Sequence, residues 1–199
     1  MTRPETGEEA PSDLARILER AASGDNAAWR EVVEWYGARV FAMAASRCRD
    51  PEAAEEVTQS VFATVAIKLG GGSYSERGRF EAWLFRVTMN RLRDLARRAR
   101  HRPVNAGTDG FDARPAPEAG PSRGVDEQAL HGLRVAMGCL SDADREVIEL
   151  RHHGGLSFKQ MAEVLDEPMG TLLARHHRAL RKLREALERS AAGREGLAS

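Results

Sequence analysis

The apolar positions of this chain recur almost everywhere at spacings of three and four, the period of a helix with one buried face. Trp29, Val32, Val33, Tyr36, Val40, Phe41 and Ala44 trace one such stripe behind Asp25, a residue suited to cap a helix N-terminus. A shorter amphipathic segment, L-A-R-I-L-E-R, opens at Ser12 and closes near Ser23-Gly24. Asp50-Pro51-Glu52 is a restart signal: a capping carboxylate, a proline whose fixed φ suits the first helical position, and an acid in the first turn. The helix it opens carries Ala54, Val57, Val61, Phe62, Val65 and Leu69 on one face and must break at Gly70-Gly71-Gly72.

A loop to about Gly78 precedes another periodic run, 80–100, with Phe80, Trp83, Leu84, Val87, Leu92 and Leu95 as its stripe. Residues 101–124 hold Pro103, Pro115, Pro117 and Pro121 with several glycines and little apolar content, the composition of a flexible linker. Helices are then expected over about 126–138 and from Ser141. Two short amphipathic helices follow, joined by a tight turn at Asp166-Glu167-Pro168. Ser141 with Asp144, and Ser157 with Gln160, have capping-box spacing. No segment alternates with period two and none repeats. The pattern predicts an all-α fold: a disordered start over 1–11, a helical bundle over 12–100, the linker, a second bundle over 125–190 ending in a helix-turn-helix, and a tail over 191–199.

Composition refines this picture. The chain has 199 residues, 42% hydrophobic and 30% charged, with thirty basic and thirty acidic side chains and a pI near 7.0. A uniformly basic nucleic-acid binder would sit higher, so contact with DNA must come from local patches. The charges are segregated: acids dominate the first sixty positions, arginines 86–102 and 175–189. Seven arginines between 86 and 102 exceed what complementing a helix dipole requires. The second helix of the helix-turn-helix carries Arg175, Arg178, Arg181, Lys182 and Arg184, which suits a helix laid in the major groove with cations near phosphates.

Cys48 and Cys139 both lie in apolar helical patterns, which fits reduced thiols and no disulfide framework. The acidic N-terminus has no apolar core of a signal peptide, and no apolar run approaches membrane-spanning length. A cytoplasmic protein is expected. The pairs His152-His153 and His176-His177 match no usual zinc spacing. No nucleophile elbow or phosphate-binding loop is present, so neither a metal, a cofactor nor an enzymatic activity is expected.

Two segments carry a family likeness. The first is D50-P-E-A-A-E-E-V-T-Q-S-V-F62 followed by F80-E-A-W-L-F-R-V-T-M-N90-R-L-R-D94-L-A-R-R. The second runs from L140-S-D-A-D-R-E-V-I-E-L-R151 through G170-T-L-L-A-R175-H-H-R178-A. In order and spacing they resemble the second and fourth conserved regions of extracytoplasmic-function sigma factors of the sigma-70 family, the detachable specificity subunits of bacterial RNA polymerase. The likeness covers most of 25–187.

It implies that Glu55, Glu56 and Gln59 bind the clamp coiled coil of core polymerase, where carboxylates would steer docking onto basic residues. It implies that the loop over 73–79 and the helix after it open and read the −10 promoter element. Asn90 would contact a base, and Arg91, Arg93, Arg97 and Arg98 the backbone. Phe80 and Trp83 match positions of that reader, but their place on the apolar stripe fits a core role better. Thr171, Leu173, Arg175, His177 and Arg178 would face the −35 element, while Arg181, Lys182 and Arg184 supply phosphate attraction. An anti-sigma partner is implied as well.

The chain departs from the family at Leu173-Ala174, where a basic residue and a serine are usual, and at Asp166-Glu167 in the turn. His176 stands at a family-apolar position, so half-burial against a neighbouring helix is expected. Two other readings compete. One is a stand-alone helix-turn-helix regulator that binds duplex DNA without polymerase. The other is a degenerate sigma-like protein that titrates a partner. The N-terminal half separates them from a sigma factor, because only a sigma factor uses it to dock on core polymerase.

Overall fold

The computed structural model describes residues 10–48, 50–72, 78–101 and 127–195, and all regular structure among them is helical. Eight helices follow in order: α1 (Ala10–Ala22), α2 (Asn26–Ala45), α3 (Pro51–Gly70), α4 (Phe80–His101), α5 (Glu127–Gly138), α6 (Asp142–His152), α7 (Phe158–Leu165) and α8 (Met169–Glu195). Of the linker expected over 101–124, His101 instead ends α4, and residues 102–126, with 1–9, 49, 73–77 and 196–199, lie outside the described residues. α1 begins at Ala10, two residues before the expected Ser12. The last two residues of the stretch expected to be disordered are therefore helical.

The capping signals act as the sequence implies except that the box expected at Ser141 and Asp144 closes on one side only. Asp25 accepts from the backbone N–H groups of Ala27 and Ala28 at 2.8 and 3.2 Å, and Asp50 from that of Glu52 at 3.1 Å. Ser157 and Gln160 close a complete capping box. Ser141 accepts from the Asp144 N–H, while the Asp144 carboxylate turns away to Lys182 at 2.6 Å. The turn before α8 needs a left-handed residue, and Asp166 takes it at φ 56°.

Helices α1 to α4 bury one face each around Leu18, Val32, Met43, Val61, Phe85 and Met89. Phe80 is 1% exposed and meets Tyr36 edge-on with ring centroids 5.3 Å apart. It is a core residue, and Trp83 packs half-buried against it at 5.8 Å.

α6 has two apolar sides. Ile148 faces a small core with Ala136, Leu140, Ala179 and Leu183, which joins α5, α6 and α8. Val147 and Leu150 face the other way, into the core that α1 to α4 build, together with Leu156, Met161, Val164 and Leu172. The two bundles therefore share one continuous apolar interior. α7 lies against α4, and α6 is enclosed almost all round: Asp144 and residues 146–150 are buried.

Charged residues line this junction. Arg47 donates from Nε to Glu149 Oε2 at 2.8 Å, and Ser46 Oγ donates to Glu149 Oε1 at 3.0 Å. Arg47 Nη2 lies 2.7 Å from the same Oε2 but is not aligned for a second hydrogen bond. Arg39 donates to Glu81 at 2.8 Å and to the Gly154 carbonyl, and its guanidinium stacks over Tyr36 and Phe85. Gln160 reaches the other Glu81 oxygen at 3.2 Å.

Candidate nucleic-acid interface

The helix-turn-helix is built by α7, the turn at 166–168 and the first turns of α8. Leu172 is fully buried and fixes α8 against α7, so the residues flanking it face outward. Met169, Gly170, Thr171, Ala174, His177 and Arg178 are exposed, and Leu173 is half-buried at the edge of that face. Such a surface fits the major groove, where an exposed helix N-terminus can meet base edges and phosphates.

Arg175 is the exception among the α8 cations nearest the turn. Its Nη1 and Nη2 donate to both oxygens of Glu167 at 2.8 and 2.6 Å, a fork geometry that holds the guanidinium firmly protonated. The acid that looks repulsive in the sequence is instead neutralised within the motif. Lys182 is engaged likewise by Asp144. Burial alone would push the Asp144 carboxyl up, but hydrogen bonds from Lys182 and the Ser141 side hold it below the usual range. Arg178, Arg181 and Arg184 remain exposed along α8.

His176 is half-buried, as its apolar position in the family pattern implies. Its Nε2 lies 3.4 Å from Nε2 of His152, and Phe158 abuts its ring edge-on. The His152 and His176 centroids are 5.6 Å apart, so the two nitrogens face each other nearly head to head. Burial, followed by the neighbouring charges of His152, His177 and Arg151, lowers the His176 pKa.

α4 presents a second basic face. Its inner stripe is Phe80, Leu84, Phe85, Met89 and Leu92, and Asn90 lies exposed on the opposite side. Arg97 pairs with Asp94 at 2.9 Å on the surface, Arg98 is exposed and Arg91 half-buried. Arg93 is held by the second bundle: Nε and Nη2 donate to the two oxygens of Glu146 at 2.9 and 2.7 Å.

On α3, Glu55, Glu56 and Gln59 form an exposed polar row. Gln59 sits at the rim of an open apolar groove between α2 and α3, lined by Trp29, Val33, Gly37, Thr58, Phe62 and Ala66. Trp35, on the same helix as Trp29 and Val33, is 43% exposed. A polar row beside an apolar trough is suited to receiving a partner helix.

The residues that sequence reasoning missed are those joining the bundles: Arg39, Arg47, Glu81, Glu146 and Glu149. Glu149 stands in the run V147-I-E-L150, where an acid among apolar neighbours was the available signal. Cys48 is buried, which with Asp50 and Glu56 nearby raises its thiol to about 11, whereas Cys139 is exposed. Among the described residues no helix is long and apolar enough to cross a membrane.

Residues 32–102 match the family model for sigma-70 region 2, and residues 136–185 the one for sigma-70 region 4. The chain is 30% identical over 170 residues to the ECF RNA polymerase sigma factor SigE of Mycolicibacterium smegmatis, covering 83% of this chain and 65% of that protein. It is 29% identical over 180 residues to SigK of Mycobacterium tuberculosis, covering 89% and 95%. Among solved structures it is similar to CnrH in complex with the cytosolic domain of CnrY, with TM-score 0.66, 27% identity and coverage of 88% and 98%. The fold also matches the sigma factor RpoE of Bartonella quintana, solved with the anti-sigma factor NepR, at TM-score 0.66, 24% identity and coverage of 80% and 96%.

Proposed function

The chain belongs to the sigma-70 family as an RNA polymerase sigma factor of the extracytoplasmic-function type, and on that footing we propose how its surfaces divide the work. The first bundle docks on core polymerase and reads the −10 element; the second reads the −35 element. The protein acts in the cytoplasm and performs no catalysis of its own, since the polymerase supplies the chemistry of RNA synthesis.

The observation that carries this reading is the presence, on one chain, of three separate surfaces of matching chemistry. The α3 row of Glu55, Glu56 and Gln59, beside its apolar groove, receives a basic polymerase helix. On α4, Asn90 offers an amide to a base, and Arg91, Arg93, Arg97 and Arg98 attract the backbone of a strand being opened. On α8, Thr171, Leu173, His177 and Arg178 face the groove, while Arg175, clasped by Glu167, lends positive charge at its edge. Leu173 and Ala174 replace a cation and a hydroxyl, which favours apolar contact such as thymine methyl groups. CnrH was solved in complex with the cytosolic domain of CnrY, and the sigma factor RpoE in complex with the anti-sigma factor NepR. We extend to this chain an anti-sigma partner.

A pull-down of the full-length protein with core RNA polymerase tests the reading, with a Glu56→Arg, Gln59→Ala double variant as control. Capture that the double variant loses is the expected result. No capture, alongside tight binding of duplex DNA by the protein alone, would instead establish a stand-alone regulator.

A further inference from the structure

We infer that Glu167 and Arg175 are a positioning pair for the −35 reader: Arg175 sets the pose of the N-terminal end of α8 through Glu167 and does not itself touch DNA. This role rests on the proposed reading of α8 as the helix that meets the −35 element.

The direction of the Arg175 side chain points to it first. Arg175 follows Leu172 by three positions and precedes Ala179 by four, and both of these are fully buried. Residues at such spacings are neighbours on a helix surface. Ala174, His177 and Arg181 are exposed and lie on the side of α8 away from Leu172. Arg175 stands on the flank between that side and the buried stripe. Its side chain is 16% exposed, against 70% for Arg181.

The donors point the same way. Nη1 and Nη2 of Arg175 both donate to Glu167, at 2.8 and 2.6 Å. These two nitrogens are the end fork of the guanidinium, which would otherwise grip a guanine edge or a phosphate. Asp144 and Glu146 on α6 add to the negative surroundings of the group.

Glu167, for its part, belongs to two helices at once. Its backbone N–H donates to the Ala162 carbonyl at 3.3 Å, which closes the end of α7. Its carboxylate closes on α8, eight residues further along the chain. On either side of it, Asp166 is left-handed at φ 56° and the ring of Pro168 fixes its own φ. A residue bonded through its main chain to one helix and through its side chain to the next sets the angle between them. Without the fork the turn keeps its backbone bonds, so the motif persists while the end of α8 loses one restraint. The cost falls on discrimination between DNA sequences, because base contacts depend on close placement of the side chains that make them.

A charge swap separates positioning from contact. The full-length protein is measured with core RNA polymerase on genomic fragments that the unmodified holoenzyme enriches, and on random-sequence duplex of equal length. Arg175→Glu alone sets two acids side by side at the turn, and discrimination between the two DNAs should fall about tenfold. Glu167→Arg with Arg175→Glu rebuilds the fork in reverse. It should restore discrimination to near the unmodified value and leave the slope of log affinity against log salt unchanged. An arginine that touched phosphate would instead cost the swapped protein about 0.9 of that slope. A swapped protein that is folded by circular dichroism yet stays defective, or that loses this slope, overturns the inference and leaves the sigma reading intact. Should the swap not fold, Glu167→Gln with Arg175→Gln, which conserves net charge, decides: an unchanged slope supports the pair, and a loss of about 0.9 overturns it. If the unmodified holoenzyme enriches no fragment, the reading of α8 as a promoter reader falls instead.

Discussion

Arg47 and Glu149 are 102 residues apart in sequence, yet they meet at 2.8 Å with side chains 4% and 0% exposed. Their pairing welds the end of α2 to the middle of α6. Burial, the largest influence, raises the Glu149 carboxyl, and Arg47 and Ser46 act against that rise. Removing one partner leaves the other charge enclosed without compensation.

Glu149→Ala should therefore cost about 3–5 kcal/mol, because an isolated buried charge is far worse than a buried pair. Replacing both, with Arg47→Met and Glu149→Leu, should recover most of that loss. Urea unfolding of the three proteins measures both effects. A single variant that unfolds at the unmodified midpoint would mean that the pair contributes nothing to stability.

Gly155 adopts φ 63°, and a Cβ there would lie 3.2 Å from Nη2 of Arg39. Gly155→Ala should cost roughly 1–2 kcal/mol from the left-handed backbone, with further loss as Arg39 shifts from the Gly154 carbonyl. Gly170→Ala, at a site open to solvent, is the matched control and should be neutral or slightly stabilising. Thermal melts that rank the two variants equally would remove Arg39 and the turn from the account.

The lowered pKa of His176 fixes a sign. The folded state resists protonation, so its contribution is complete above the ordinary histidine range, near pH 6.5. It is lost as pH falls from there through the depressed folded value. His153, also lowered by burial and by His152, acts in the same direction. Stability should decline on acidification below about pH 6.5, and His176→Leu should flatten that part of the profile. A profile that His176→Leu leaves unchanged would place the titration elsewhere.

At the groove-facing end of α8, Leu173→Lys adds one cation. In the polymerase-bound protein, the slope of log affinity against log salt should steepen by about 0.9. Glu167→Gln should act in the same direction by releasing Arg175 from its fork. Filter-binding of promoter fragments across a salt series gives the slopes. Identical slopes would show that neither position approaches the DNA.

The sequence by itself determined the helices, because each depends on neighbours within a few positions. Asp25, Asp50 and Ser157 cap where their spacing says they should, and the stripes of α2 to α4 are largely the faces that are buried, with Val33 the exception at 37% exposed. It also carried both family segments, and with them the basic faces of α4 and α8. Phe80 was legible as core because it lies on its stripe.

Tertiary structure decided which charges are available. Glu146 reads as a solvated acid and Glu149 only as an acid out of place among apolar neighbours, since periodicity ranks residues by polarity and names no partner, least of all one far along the chain. Only packing brings Glu146 to Arg93, Glu149 to Arg47 and Glu167 to Arg175. The same limit hid the union of the bundles. α6 is apolar on two sides, and a single-face reading assigns it to one core, whereas the structure uses Ile148 for one and Val147 with Leu150 for the other. Local pattern sets the helices, and long-range charge and shape complementarity set how they close.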